Sequence, residues 1–400
     1  MWRTSLKITK ATTYIVGNPW KNWLFVRLDT DVPGLYGVGE GSLNGFAKTI
    51  ETAIHELSHF YEGMDPFQIE TICQRMSRDP YNEGGQVHMN AVAAIETACW
   101  DIIGKELGRP IYDLLGGRCF EDLPAYANGW YQGDRTIENF QERAKIVIDM
   151  GYKALKFDPF GAAWRIMTPR ERQLSCDIVG AVRDVVGPEV QIMVEGHKRF
   201  SVHEAILVAD EIEQYQPAWF EEPTDFAKID AVVEVARHTN VPIATGESFS
   251  YPYQFAELLA HNAVHILQPD PSTLGGIFRT RLVCGMVDAF YGVVAPHQAQ
   301  GPLSTSACIQ LGACTPNLMV QELFDEFNAE WEHDIVTNPV KVVDGRIQIP
   351  TEPGLGNDLN FSELDKHPYR KSNFLPLFKP GWERREGVTY VPGEGPVAEA

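Results

Sequence analysis

The sequence predicts an α/β protein, a (β/α)8-type barrel preceded by an N-terminal α+β capping domain. Strand-like runs followed by helical patterns fill residues 1–120, and from about 121 short apolar runs alternate eight times with helix-like segments. Each of the last seven apolar runs also ends in a charged or imidazole side chain. A repeated βα unit whose strands end in chemistry is the pattern of a barrel with its site at the strands' C-terminal mouth.

The cap opens with the strand-like runs LKITKATTYIV and NWLFVRLDTD, followed by GLYGVGEG. Helical patterns follow in FAKTIETAIHELSHFYEG and NAVAAIETACWDIIGKELG, the second closing at Gly108 ahead of Pro110, as helices commonly do. IYDLLGGR reads as a connector to the barrel, which is expected over 121–340. Its strands are sought in LPAYANGW, ALKFDPF, VQIMVEGH, AWFEEP, PIATGES, HILQPD, GVVAPH and LMVQEL. One residue from each (126, 156, 194, 221, 246, 268, 296, 321) gives steps of 22 to 38 residues, room for a helix between successive strands. An open doubly wound sheet is the alternative, and eight repeats favour closure. The segment from about 340 to 400 is expected to return to the cap, with KPGWERREGVTYVPGEGPVAEA as a surface-draped or partly disordered tail.

The stretch VQIMVEGHKRF poses the functional question, because a buried apolar run ends in Glu195 and, two residues on, His197. Residues i and i+2 of a strand share a face. The neighbouring strands end alike, in Lys156 and Asp158, Glu221 and Glu222, Glu247, Asp270, His297 and Glu322. An unpaired buried charge is costly, so seven such endings in succession point to a site. Glu195, Glu221 and Glu247 converge from neighbouring strands and offer only hard oxygen donors, which suits Mg²⁺; salt bridges to Lys156 or Arg199 are the other use for them. Asp270 behind His297 would fix the imidazole tautomer and raise its basicity, as a general base requires. Lys156 can pair with a substrate carboxylate, and Asp158 can orient that lysine or bond a substrate hydroxyl. Glu322 can hydrogen-bond the substrate carboxylate if it is protonated.

Composition sets the outer limits. The 400 residues are 44% hydrophobic, enough for a large core, and the net charge of −20 argues against nucleic acid or an anionic membrane as a partner. The seven cysteines form no CxxC pair and read as reduced core thiols of a cytoplasmic protein. The N-terminal residues lack the apolar run of a signal peptide, and no stretch of 18 apolar residues is present to span a membrane.

The ordered motifs KxD, ExH, EEP, GE, QPD, PH and QE on successive strands, after an α+β cap, resemble the enolase superfamily and within it the mandelate racemase group. The resemblance runs from GVGEG at 37–41 to PGLG at 353–356. Through YANGWYQ at 126–132, GYKALKFDPFG at 151–161 and EGHKRF at 195–200 it is greatest to the sugar-acid dehydratases, gluconate dehydratase above all. It implies Mg²⁺ on Glu195, Glu221 and Glu247, His297 with Asp270 as the base at C2, and His197 as the acid for the 3-hydroxyl. A second-shell metal contact or a polyol contact is the plainer role for His197. The product would be a 2-keto-3-deoxy acid, and the small-molecule substrate a sugar acid. The resemblance also implies a symmetric homo-oligomer, and cap loops near 17–23 and 81–88 that shape specificity, with Trp20, Asn22 and His88 as candidates. Two departures stand out. Racemases of the group carry KxK where this chain has KxD, which removes one base and favours dehydration over racemisation; epimerase and cycloisomerase outcomes remain as alternatives. The first metal ligand is Glu where Asp is common.

Three other readings carry less. HELSH at 55–59 matches HExxH, but Ile50, Ile54, Leu57 and Tyr61 form the apolar face of that helix and place the histidines nearly opposite, on a solvated one. GVGEG lacks the third glycine and the immediate helix of a dinucleotide loop. A catalytically silent barrel is disfavoured by the complete ring of residues.

Overall fold

The computed structural model describes residues 6–384, 389–391 and 395–397. The cap begins with an antiparallel sheet of β1 (Ile8–Asn18), β2 (Lys21–Thr30) and β3 (Tyr36–Glu40), in the order β1-β2-β3. Three helices cover it: α1 (Ala47–Glu56), α2 (Ile69–Arg78) and α3 (Gly85–Leu107). α2 has no counterpart in the sequence reading. It is a ten-residue amphipathic helix that buries Ile69, Ile72, Cys73 and Met76. The cap core joins these residues to Leu24, Val26 and Leu28 of the sheet and Ile50 and Ile54 of α1. α3 ends as expected, on Gly108 in the left-handed conformation. The glycines of GVGEG serve packing: a Cβ on Gly39 would stand 2.1 Å from Ala94 O of α3.

A short helix, α4 (Ile111–Leu114), leads to eight parallel strands: β4 (Asp122–Ala127), β5 (Ala154–Phe157), β6 (Gln191–Glu195), β7 (Trp219–Glu221), β8 (Ile243–Thr245), β9 (Ile266–Leu267), β10 (Val293–Val294) and β11 (Gln321–Leu323). Neighbours in sequence are neighbours in the sheet from β4 to β10, and β11 pairs with β4. Val294 of β10 bridges in parallel to Leu318, three residues before β11, so the strands return on themselves. Helices follow the strands: α5 (Ile137–Asp149), α6 (Pro169–Val186), α7 (Val202–Ile212), α8 (Ile229–Arg237), α9 (Pro252–Ala260), the pair α10 (Pro271–Leu274) and α11 (Ile277–Ala289), and α12 (Pro302–Ala313). Their starts are written locally. Thr136, Thr168 and Ser201 accept backbone N–H bonds as N-caps, Thr168 in a capping box with Glu171, and prolines open α6, α9, α10 and α12. No helix follows β11; two 3₁₀ turns, Asp325–Phe327 and Glu330–His333, stand there.

The chain then crosses back. A hairpin of β12 (Val342–Val343) and β13 (Arg346–Gln348) adds antiparallel to β4, Pro110 bridges to Gly354, and α13 (Phe361–Leu364) precedes a bridge from Val16 to Pro368. The segment thus ties cap to barrel. The tail departs from expectation at its start: Trp382 and Glu383 are buried, with Trp382 Nε1 donating to Gly161 O (3.1 Å) and Gly133 N donating to Glu383 O (3.0 Å). Beyond them β14 (Thr389–Val391) pairs with β15 (Gly395–Val397), and the rest of the expected tail lies outside the described residues. Among the described residues no helix is long and apolar enough to cross a membrane. All seven cysteines are unpaired, and only Cys119 is exposed.

Candidate active site

Strand parity builds the site. Inside the barrel a layer of Tyr126, Ala154, Met193, Trp219, Ala244, Ala295 and Val320 packs together, one residue from each of seven strand regions. Two residues further along, the same inward face carries Asn128, Lys156, Glu195, Glu221, Gly246, His297 and Glu322. The polar ring is therefore the next layer up, towards the C-terminal mouth. β8 is the exception, because its metal candidate is Glu247, one residue late. Gly246 allows it, with φ of +132° and no room for a Cβ, which would lie 2.9 Å from the Phe255 ring.

Glu195, Glu221 and Glu247 each bring a carboxylate oxygen within 4.8 Å of the others. Lys156, 2% exposed, reaches into this cluster: its Nζ bonds Glu221 Oε1 and lies 3.3 Å from Glu195 Oε2 and 2.9 Å from Glu322 Oε1. Burial, then the neighbouring Glu195, pushes the Glu221 carboxyl well above the usual range; Glu195 is raised too, chiefly by burial. Glu247 goes the other way: burial would raise it, but His297, Lys198 and Lys156 bring it down to about 2. Three converging oxygen-only donors, two of them on one ammonium and the third beside His297 and Lys198, suit a divalent hard cation.

Two histidines are each held by an aspartate. His297 Nδ1 lies 2.8 Å from Asp270 Oδ2, and Ser272 N donates to Asp270 Oδ1 (2.7 Å). His297 Nε2 faces the carboxylates, 3.2 Å from Glu247 Oε2 and 4.0 Å from Glu322 Oε2. Burial works against its charged form, but Glu247, Glu322 and Asp270 together push His297 up to about 10. His197 Nδ1 lies 2.6 Å from Asp158 Oδ2, which also takes Arg199 Nη2. His197 and Lys198 have φ of +47° and +60°, a backbone kink that turns the imidazole back over the mouth. β6 and β10 are four places apart among eight strands, so the two histidines face the carboxylates from opposite sides.

Several assignments change. Asp158 neither orients Lys156 nor stands open to a substrate hydroxyl, since its oxygens are taken by His197, Arg199 and Phe160 N (2.9 Å). Burial would raise the Glu322 carboxyl, but Lys156 and His297 lower it, and its oxygens accept from Asn128 Nδ2 (2.7 Å), Lys156 and Gln298 N (2.8 Å). That direction works against the protonated form that a bond to a substrate carboxylate would need. Asn22 clamps the return segment, with Nδ2 donating to Arg370 O (2.9 Å) and Oδ1 accepting from Arg370 N (3.1 Å). His88 lies in the first turn of α3 with Nε2 2.8 Å from Met76 O, inside the cap; Gln86, which bonds Ser248 O (3.0 Å), is the side chain that reaches the barrel. Trp20 does lie over the mouth, its ring 5.7 Å from that of Phe324, two residues past Glu322. His55 and His59 are exposed, and α1 passes into a 3₁₀ turn at Leu57, so HELSH makes no zinc helix.

Sequence reasoning gave Arg199 only as a salt-bridge partner of the glutamates, where it pairs with Asp158 instead, and missed Lys198 and Trp382. Lys198 lies 3.7 Å from Glu247 Oε1, and the Trp382 ring stands edge-on to His197 at 6.2 Å. The run EGHKRF contained the first two, yet only the backbone kink shows that three successive side chains serve one site.

Two aspartate-backed histidines on opposite sides of a carboxylate cluster, at the C-terminal mouth of a capped barrel, fit the enolase superfamily that the sequence resembles. The comparisons agree. Residues 139–363 match the enolase C-terminal domain-like family, and residues 16–116 match the mandelate racemase/muconate lactonizing enzyme N-terminal domain. The chain is 33% identical over 388 residues to D-galactonate dehydratase of Pectobacterium atrosepticum, covering 96% of this chain and 99% of that protein. It is 33% identical over 334 residues to D-gluconate dehydratase of Thermoproteus tenax, covering 83% and 67%. Among solved structures, the mandelate racemase/muconate lactonizing enzyme from Jannaschia sp. CCS1 superposes with a TM-score of 0.86 at 31% identity, covering 91% of this chain and 98% of that one. The enzyme of the same description from Sulfitobacter sp. gives 0.87 at 28%, covering 92% and 96%. The chain belongs to the mandelate racemase/muconate lactonizing enzyme family of the enolase superfamily.

Proposed function

We propose that this enzyme is a Mg²⁺-dependent dehydratase of a sugar acid, an aldonate such as gluconate or galactonate. The observation that carries the reading is the pair of aspartate-backed histidines on opposite sides of one carboxylate triad. Relatives named as gluconate and galactonate dehydratases support the substrate class.

Glu195, Glu221 and Glu247 would hold Mg²⁺, which would supply positive charge to stabilise the enolate left when the C2 proton departs. Glu247 is the first of the charges that raise His297, so a cation held there would favour the neutral imidazole. In that form His297 Nε2 takes the C2 proton, while Asp270 keeps the other ring nitrogen protonated and steadies the imidazolium. Lys156 holds positive charge beside the carboxylates. From the opposite side His197 Nε2 delivers a proton to the 3-hydroxyl as the C3–O bond breaks, with Asp158 fixing its tautomer. Water departs, and the enol tautomerises to the 2-keto-3-deoxy acid. Two opposed histidines are also the minimum for inverting C2, so epimerisation is the second reading.

The test is a panel of C5 and C6 aldonic acids with Mg²⁺ and with EDTA, scored for 2-keto-3-deoxy product and for deuterium at C2 of recovered acid. Magnesium-dependent product from one or two acids is expected. Deuterated or inverted acid without product would move the function to epimerase.

A further inference from the structure

Between the cap loop Gly17–Trp20 and the return segment lies a cavity of about 960 Å³. Its lining includes Lys366, Arg370, Lys371 and Lys379, and no Asp or Glu is among the described residues that line it. The bias extends along the chain: residues 366–382 hold four Lys or Arg and no acid, in a protein of net charge −20. Lys366 is tied to Glu363, which leaves Arg370, Lys371 and Lys379, all exposed, to set the field of the cavity.

The cavity sits over the active site. Trp382 forms part of its wall and stands edge-on to His197. Trp20 forms another part and packs on Phe324, two residues beyond Glu322. The adjoining Lys21 bonds Ala299 O, two residues beyond His297. Wall residues and the adjoining Lys21 thus reach both the His197 and the His297 sides of the mouth.

We propose that this cavity is the vestibule by which the substrate anion reaches the barrel, and that Arg370, Lys371 and Lys379 attract it there. The proposal rests on the sugar-acid reading, and it adds three residues that act before chemistry. An acidic protein repels an anion at long range. A concave wall of one sign, close to low-dielectric surface, reverses that locally and raises the rate of encounter. The contribution should be screened by salt, since the Debye length falls from about 30 Å at 0.01 M to about 8 Å at 0.15 M.

The variant R370Q/K371Q/K379Q tests this, with unchanged circular dichroism and Tm as the check on folding. On the sugar acid that wild type turns over, we expect kcat/KM at low salt to fall about fivefold or more, with the loss in KM, and the salt dependence of kcat/KM to flatten. Equal kcat/KM and equal salt response would overturn the proposal. A second arm needs no turnover: quenching of tryptophan fluorescence by iodide, with acrylamide as neutral control. Trp20, Trp331 and Trp382 line the cavity, so wild type should be quenched by iodide more strongly than the variant at low salt, with acrylamide equal. If no sugar acid is turned over, the functional reading falls, and the iodide arm still decides whether the cavity gathers anions. Equal iodide quenching would then refute it.

Discussion

His197 Nδ1 lies 2.6 Å from Asp158 Oδ2, so the imidazole at the end of β6 is held by the carboxylate at the end of β5. Under the proposed function the contact gives KxD and ExH one joint purpose: the aspartate would fix the tautomer that leaves Nε2 for the substrate. Asp158→Asn should lower kcat about 10²-fold with KM changed only a few-fold. A kcat close to wild type would show that the pairing is structural.

Lys156 stands where its charge offsets the carboxylates without a metal. Its ammonium lies among Glu195, Glu221 and Glu322, all buried. Lys156→Met should destabilise the metal-free protein by about 3–5 kcal/mol, the cost of breaking a buried charge cluster. Excess Mg²⁺ should then raise Tm more in the variant than in wild type, because the cation replaces the lost charge. Thermal denaturation with Mg²⁺ and with EDTA measures both effects, and equal Mg²⁺ shifts in the two proteins would count against the carboxylates as the ligand set.

Glu40 links cap and barrel through Gly301 N (2.6 Å) and Ser304 N (2.9 Å), and burial raises its carboxyl from 4.5 to about 7. The folded state thus holds this proton more tightly than the unfolded state. Its contribution to stability is full below pH 4.5 and is lost as pH rises to 7, at up to about 1.4 kcal/mol per unit. Glu40→Gln should therefore flatten the fall of Tm between pH 4.5 and 7. An identical pH profile in the two proteins would contradict the assignment.

Much of this was legible beforehand for a physical reason. Eight strands, the last seven with a charged or imidazole side chain at the same end, leave little choice about where Glu195, Glu221, His297 and Glu322 point. What was not legible depends on contacts with no sequence period. Asp158 meets His197 only through left-handed backbone at His197 and Lys198, an unusual conformation for those residues. Asn22 and His88 suit a specificity loop by residue type, yet one clamps Arg370 and the other α2. Trp382 sits in a Pro/Gly/charge-rich stretch that reads as tail, and its burial rests on a pocket made by residues far away in sequence. The role read for Glu322 required it to be protonated; Lys156 and His297, from other strands, lower its carboxyl instead.

The most direct test of the division of labour is His197→Asn with the sugar acid and Mg²⁺ in D₂O, followed by NMR. With His297 and Asp270 intact, proton removal should continue while hydroxyl departure stalls. Deuterium should then enter C2 of the unchanged acid at a rate near the wild-type turnover, with 2-keto-3-deoxy product reduced about 10²-fold or more. Product at the wild-type rate, or loss of exchange together with product, would contradict the assignment of His297 to the C2 proton and His197 to the departing hydroxyl.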